Sequence, residues 1–184
     1  MGKPWIQTVS GKAIDLARPD PSQIDPRDLI HGVAHLCRFT GHVDRFYSVA
    51  EHSVQAWMWA GRLGLPTEVC RQALAHDLHE AITGDVASPI KRVLGDTWRR
   101  FEGSVEYAVR RRLGLPRVFA PIVRRIDTSL LLVENAQLRR EAPGLWAVEG
   151  FEMLPKPPTQ PLACYSPDLA AFHLEAAMKA GGLL

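Results

Sequence analysis

Apolar positions recur at three- and four-residue spacing along most of the chain, the period of an amphipathic helix. Leu29, Ile30, Val33 and Cys37 form one stripe, and Val49, Ala56 and Trp59 form a second that also carries His52. Trp98, Phe101, Val105, Val109 and Leu113 make a third, and Val118, Ile122, Ile126, Leu130 and Val133 a fourth. Punctuation residues bound them. Asp25 before Pro26 predicts a helix start, with the end near Arg38-Phe39 before Gly41. Ser48-Val49-Ala50-Glu51 reads as a capping box, closed by Gly61 and Gly64. Pro66 opens a helix predicted to carry His76 and Asp77 and to end at Thr83-Gly84. Residues 86–90 read as a connection, Asp96 as the next cap and Gly114 as the next stop. Pro116 is predicted to begin a long helix reaching about Arg140. Ser166-Pro167-Asp168 opens a last helix that ends at Gly181.

Two stretches break the helical period. Residues 5–16 alternate around Ser10-Gly11 and predict a small hairpin. Residues 142–165 are Pro-rich and irregular, with Trp146 and Phe151 as expected anchors. The prediction is a single all-α domain over 1–184 with a small N-terminal β-hairpin.

Composition narrows the function classes. The formal net charge of +2 is too small to imply a nucleic-acid or membrane-surface partner. Arg99-Arg100, Arg110-Arg111-Arg112, Arg124-Arg125 and Arg139-Arg140 are clustered, and are expected on solvated helix faces. Cys37, Cys70 and Cys164 show no metal-type spacing and read as reduced thiols of a cytoplasmic protein. The N-terminus has no signal-peptide pattern. No apolar run approaches the roughly 20 residues that span a bilayer.

The chemistry concentrates in Ala73–Asp85, where five ionisable side chains fall within ten residues of a helix-forming run. His76 and Glu80 are four apart and Asp77 and Glu80 three apart, so one helix face can present all three. A neutral imidazole beside a carboxylate suits a divalent first-row metal. His52, on a capped helix, and Asp127, an aspartate inside an apolar helical run, can complete the set. His31 and His35 also have a metal-pair spacing but lack a matching carboxylate. His31 lies seven residues before Arg38, which would place both on one face of a continuous helix. His79 is expected to face away from the site.

The order His52, His76-Asp77, Asp127 resembles the HD-domain metal-dependent phosphohydrolase superfamily. Arg38-Phe39 followed by Tyr47-Ser48-Val49-Ala50-Glu51-His52-Ser53-Val54 resembles segments of the small bacterial 5′-deoxynucleotidases. So does His76-Asp77-x-x-Glu80-x-x-Thr83-Gly84-Asp85-x-x-x-Pro89-x-Lys91. A phage-type group of dATP triphosphohydrolases is similar too. The likeness covers about residues 28–135.

The resemblance implies an HD-domain helical bundle and a nucleotide substrate. It implies one divalent transition metal (Co, Mn, Zn or Fe) on His52, His76, Asp77 and Asp127, with Asp77 and Glu80 in the catalytic centre. Glu80 would be the general acid or base. Arg38 and Lys91 would contact phosphate and Asp85 the sugar, while His31 would approach the phosphate. Two-metal members insert histidines between the HD pair and the last aspartate. None occurs here between His79 and His173, which implies one metal.

The expected activity is hydrolysis of deoxynucleoside 5′-monophosphates. A dNTP triphosphohydrolase is the alternative, with Lys12, Arg45 or Arg92 serving a longer phosphate chain. A regulatory nucleotide-binding module without turnover is the other. Family likeness implies a dimer or larger homo-oligomer, for which the apolar faces around Trp57 and Trp59 are candidates.

Overall fold

The computed structural model describes residue 2 and residues 4–140 and 151–184. It is mostly helical, with one two-stranded antiparallel sheet. Strands β1 (Trp5–Gln7) and β2 (Ala13–Asp15) pair with Ile6 opposite Ile14. The hairpin is tied down by its turn: Ser10 donates its backbone N–H and its hydroxyl to the buried Asp28 carboxylate, at 3.1 and 2.6 Å. Ile14 and Ile24 then enter the main core.

Helix α1 spans Pro26–His35, with Asp25 capping the N–H of Arg27. It stops earlier than its sequence pattern predicts. Leu36 turns extended, and Cys37 pairs with Ser48 in an isolated bridge rather than continuing the stripe. Helix α2 (Val49–Arg62) is capped by the Ser48 hydroxyl, which accepts the N–H of Glu51. The return half of the expected capping box does not form. The Glu51 carboxylate instead accepts the backbone N–H groups of Cys164 and Tyr165, at 3.0 and 2.9 Å.

The helix predicted from Pro66 to Thr83 is interrupted. Helix α3 covers Thr67–Ala75 and the short α4 covers Glu80–Thr83. Between them lies a tight turn with three-residue hydrogen bonds, such as Glu80 N–H to Asp77 O at 3.0 Å. His76 and Asp77 both lie in this turn, with His76 Nε2 3.1 Å from Asp77 Oδ2. Gly84, with φ +80, closes α4 in a conformation that side-chain-bearing residues resist.

Helix α5 runs from Ser88 to Arg112 with a break at Gly95 (φ 61, ψ −140). The expected connection at 86–90 is thus partly helical, because Pro89 fits a first helical turn. Asp96 pairs with Arg99 just beyond the break. Helix α6 spans Pro121–Leu138, not from Pro116; Val118 lies in the preceding loop and is exposed. Pro121 is the proline at the helix start, where its missing N–H costs nothing. Residues 151–165 contain no helix or strand, with Leu154 and Leu162 buried and Phe151 half-buried. Trp146 lies outside the described residues. Helix α7 (Pro167–Ala180) is capped by Ser166, as the sequence predicts.

Helix α2 is central and packs against α1, α3, α6 and α7. Trp59 is fully buried in the core shared by α2, α3 and α6, and its indole donates to Pro155 O at 3.0 Å. It therefore offers no surface for a second copy. Among the described residues, no helix is long and apolar enough to cross a membrane.

Candidate metal centre

Four side chains from three elements meet beside α2: His52 from α2, His76 and Asp77 from the turn after α3, and Asp127 from α6. One ligand-type atom of each lies within 4.8 Å of all the others. His52 Nε2 is 3.0 Å from His76 Nε2, 3.3 Å from Asp127 Oδ1 and 3.5 Å from Asp77 Oδ2. His76 Nε2 is 3.1 Å from Asp77 Oδ2 and 3.7 Å from Asp127 Oδ1. Donors held about 2.0–2.2 Å from one ion stand roughly 3.0–3.5 Å from one another, which matches all of these spacings but the 3.7 Å one.

The tautomers follow from the outer partners. His52 Nδ1 lies 2.6 Å from Glu134 Oε1, and His76 Nδ1 lies 2.8 Å from Ala73 O. A carboxylate and a carbonyl can only accept, so each Nδ1 carries the proton. In the neutral rings both Nε2 lone pairs then point at each other across 3.0 Å. Two lone pairs cannot form a hydrogen bond. A positive centre there, a proton shared on one Nε2 or a metal ion between the two, flanked by Asp77 and Asp127, makes the arrangement favourable. The donor set of two imidazoles and two carboxylates fits a divalent transition ion.

Electrostatics agree with a site built for a cation. Burial disfavours the His52 imidazolium and Arg38 repels it, but Glu134 and Asp127 outweigh both and raise its pKa. Burial also opposes charge on His76, yet Asp77 and Asp127 hold it well above the ordinary value. Burial would raise the two aspartates, but the histidines hold both low.

The flanking residues are placed as follows. Arg38 is buried, and its Nε donates to Glu134 Oε2 at 3.2 Å while Nη1 reaches Asp77 Oδ2 at 3.5 Å. It lies beyond the end of α1, so its side chain does not cap that helix. Glu80 is 4 % exposed, and its Oε2 has no hydrogen-bond partner among the described residues. Burial, Asp77 and Asp85 together push its carboxyl well above the usual range, with Arg38 and Lys91 opposing. Asp85 is half-buried, and burial raises its carboxyl against the pull of Arg38. Lys91 Nζ pairs with Glu102 at 2.6 Å and comes within 3.8 Å of Glu80 Oε1.

Two sequence expectations are corrected. His31 is exposed and packs its ring at a tilt against His35, with ring centroids 4.1 Å apart. The face it would share with Arg38 does not exist, because α1 ends at His35. His79 does not face away: it is buried, lies 3.6 Å from Glu102, and lines the groove beside the metal-type group. That groove encloses about 450 Å³ between α5 and the start of α6. Asp127, His76 and Asp77 line it, as do Phe119 and Arg110, whose guanidinium lies 3.9 Å from the Phe119 ring centroid. Lys12 pairs with Asp25, and Arg45 donates to Leu162 O, so neither is an unengaged cation.

Glu134 and Glu102 are functional candidates to which sequence reasoning assigns no role. Glu134 sits seven residues, two helical turns, after Asp127 in an apolar run, and that spacing was the available signal. Glu102 had no comparable local signal.

Fold and site together define a mostly helical protein with a His₂Asp₂ group able to hold a metal ion. No family model matches the chain. The chain is 32% identical over 161 residues to the uncharacterized protein YfdR of Escherichia coli (strain K12), covering 84% of this chain and 87% of that one. It is 35% identical over 146 residues to the uncharacterized protein RCAP_rcc00048 of Rhodobacter capsulatus, covering 75% of this chain and 74% of that one. The chain belongs to the family of these bacterial proteins.

Proposed function

We propose that this protein is a metal-dependent nucleotide phosphohydrolase of the HD-domain type, hydrolysing deoxynucleoside 5′-monophosphates to deoxynucleoside and phosphate. The facing Nε2 pair of His52 and His76, closed by Asp77 and Asp127, carries the reading. When bound there, a divalent ion supplies an acidified water and polarises a phosphoryl oxygen. The chain's own residues do the rest. Arg38, buried beside Asp77, presents guanidinium charge to the phosphoryl oxygens. Glu80, whose carboxyl burial and Asp77 push well above its usual range, would give a proton to the departing sugar oxygen. Lys91 holds positive charge beside Glu80 and limits how far its pKa rises. Asp85, on the turn after Gly84, is available to the sugar hydroxyls.

A triphosphate substrate is the second reading, with release of triphosphate from a dNTP. The groove favours it by offering Arg110 and Arg124 beyond Asp127. Against it, Glu106 pairs with Arg110 and Glu102 with Lys91, so part of that positive charge is already neutralised. A nucleotide-binding module without turnover would not need a buried Glu80 carboxyl with one oxygen left without a hydrogen bond among the described residues.

The test is product release from a panel of dNMPs and dNTPs with Co²⁺ or Mn²⁺ added. Free phosphate from dNMPs is expected. Triphosphate from dNTPs would move the assignment to the second reading. Nucleotide binding without any product would establish the module.

A further inference from the structure

Glu134 is completely buried on α6, yet it is neither a member of the metal-type group nor within the groove. Its two oxygens engage three donors from three other places in the chain. Oε1 accepts from His52 Nδ1 at 2.6 Å and from the Tyr47 hydroxyl at 2.9 Å. Oε2 accepts from Arg38 Nε at 3.2 Å. A buried carboxylate is costly unless fully partnered, and here every partner is part of the site or beside it. The bond to His52 Nδ1 turns the His52 lone pair toward His76. The bond to Arg38 Nε turns the rest of that guanidinium toward Asp77. One side chain therefore sets the orientation of a metal-type ligand and of the guanidinium next to it.

We infer that Glu134 is a positioning residue that couples the two halves of the site, fixing His52 for metal ligation and Arg38 for anion binding. The inference rests on the proposed metal site, but concerns a residue outside it. Removing Glu134 should weaken metal affinity and anion affinity together. Removing a neighbour that merely packs against it should weaken neither.

The test uses Co²⁺ titration of the full-length protein, read by its visible absorption, and titration of the Co²⁺-loaded protein with inorganic phosphate. Glu134→Gln keeps the shape but removes the charge. Glu134→Asp keeps the charge, so Arg38 retains a counter-ion, but shortens the reach to both partners. Each should lower Co²⁺ affinity about 10–100-fold, the usual effect of losing an outer partner of a ligating histidine. Phosphate affinity should fall as well. Tyr47→Phe removes the third bond only; it should lower the melting temperature while leaving Co²⁺ affinity within about twofold. Unchanged Co²⁺ affinity in both Glu134 variants would overturn the inference. So would Tyr47→Phe losing metal in proportion to its lost stability. Wild-type protein that takes up no Co²⁺ would instead overturn the metal site itself, and the two failures are distinct.

Discussion

At the scale of single residues, Glu80 separates chemistry from coordination. It is three residues from Asp77 and buried, but it is not one of the four clustered donors. Glu80→Gln should keep the metal and nucleotide affinity and slow turnover by about 10²–10⁴-fold, the ordinary contribution of a general acid. Metal content measured beside turnover decides it: loss of the metal would make Glu80 a ligand, and full turnover would move proton transfer elsewhere. The residues of the His-Asp run were legible because adjacent ionisable residues in an apolar stretch are costly without a purpose. Asp127 was legible for the same reason, as a carboxylate inside an apolar helical stripe. Glu134 interrupts the same stripe, but its partners lie 82, 87 and 96 residues away, and no local pattern announces them.

At the scale of elements, two contacts lie beside the turn that carries His76 and Asp77. The first is a close approach of α1 to α4. A Cβ added at Gly32 would stand 2.7 Å from Ala81 Cβ and 3.1 Å from Ala81 Cα. Gly32→Ala gains about 1 kcal/mol of helix propensity. Forcing the two helices apart costs about 1–3 kcal/mol. The clash should win, and the melting temperature should fall by about 2–4 °C per kcal/mol of net loss. A rise in melting temperature would show that α1 and α4 part freely. The second contact spans the Gly95 break in α5, where Lys91 before it pairs with Glu102 after it. Burial alone would raise the Glu102 carboxyl, but His79 and Lys91 outweigh it and hold it at about 2, below its ordinary 4.5. A depressed carboxyl stabilises the fold fully above its unfolded value and ceases to do so as pH falls through the folded one. Stability from this pair should therefore be lost between about pH 4.5 and 2. Glu102→Gln should flatten the melting-temperature profile in that window and leave it unaltered in shape near neutrality. An unchanged acid profile would show that the pair contributes nothing. These element ends were the least legible part of the sequence. The run 66–83 has no helix breaker before Gly84, so only packing could reveal the turn at 76–79.

For the whole molecule, the site ties together α2, the turn after α3, and α6, and an ion bound there would bridge all three. Ligand that binds only the folded chain stabilises it by mass action. Adding Co²⁺ should raise the melting temperature of wild-type protein, and a chelator should reverse the rise. Asp127→Ala should abolish the response, since it removes the donor that α6 contributes. A wild-type melting temperature indifferent to Co²⁺, Mn²⁺ and Zn²⁺ would exclude a stabilising site. Residue order alone makes legible the helical class, the N-terminal hairpin, most of the caps and the candidate donors His76, Asp77 and Asp127. All of these follow from short-range rules: the period of apolar residues, the chemistry of capping side chains, and the cost of ionisable groups in an apolar run. Long-range packing sets the broken helix at His76–His79, the burial of Trp59, the inward turn of His79, the meeting of the four donors and the surroundings of Glu134 and Glu102. Each of these depends on partners distant in sequence. Burial turns a charge that would cost little at the surface into one that must be matched, and the match is set by how helices pack.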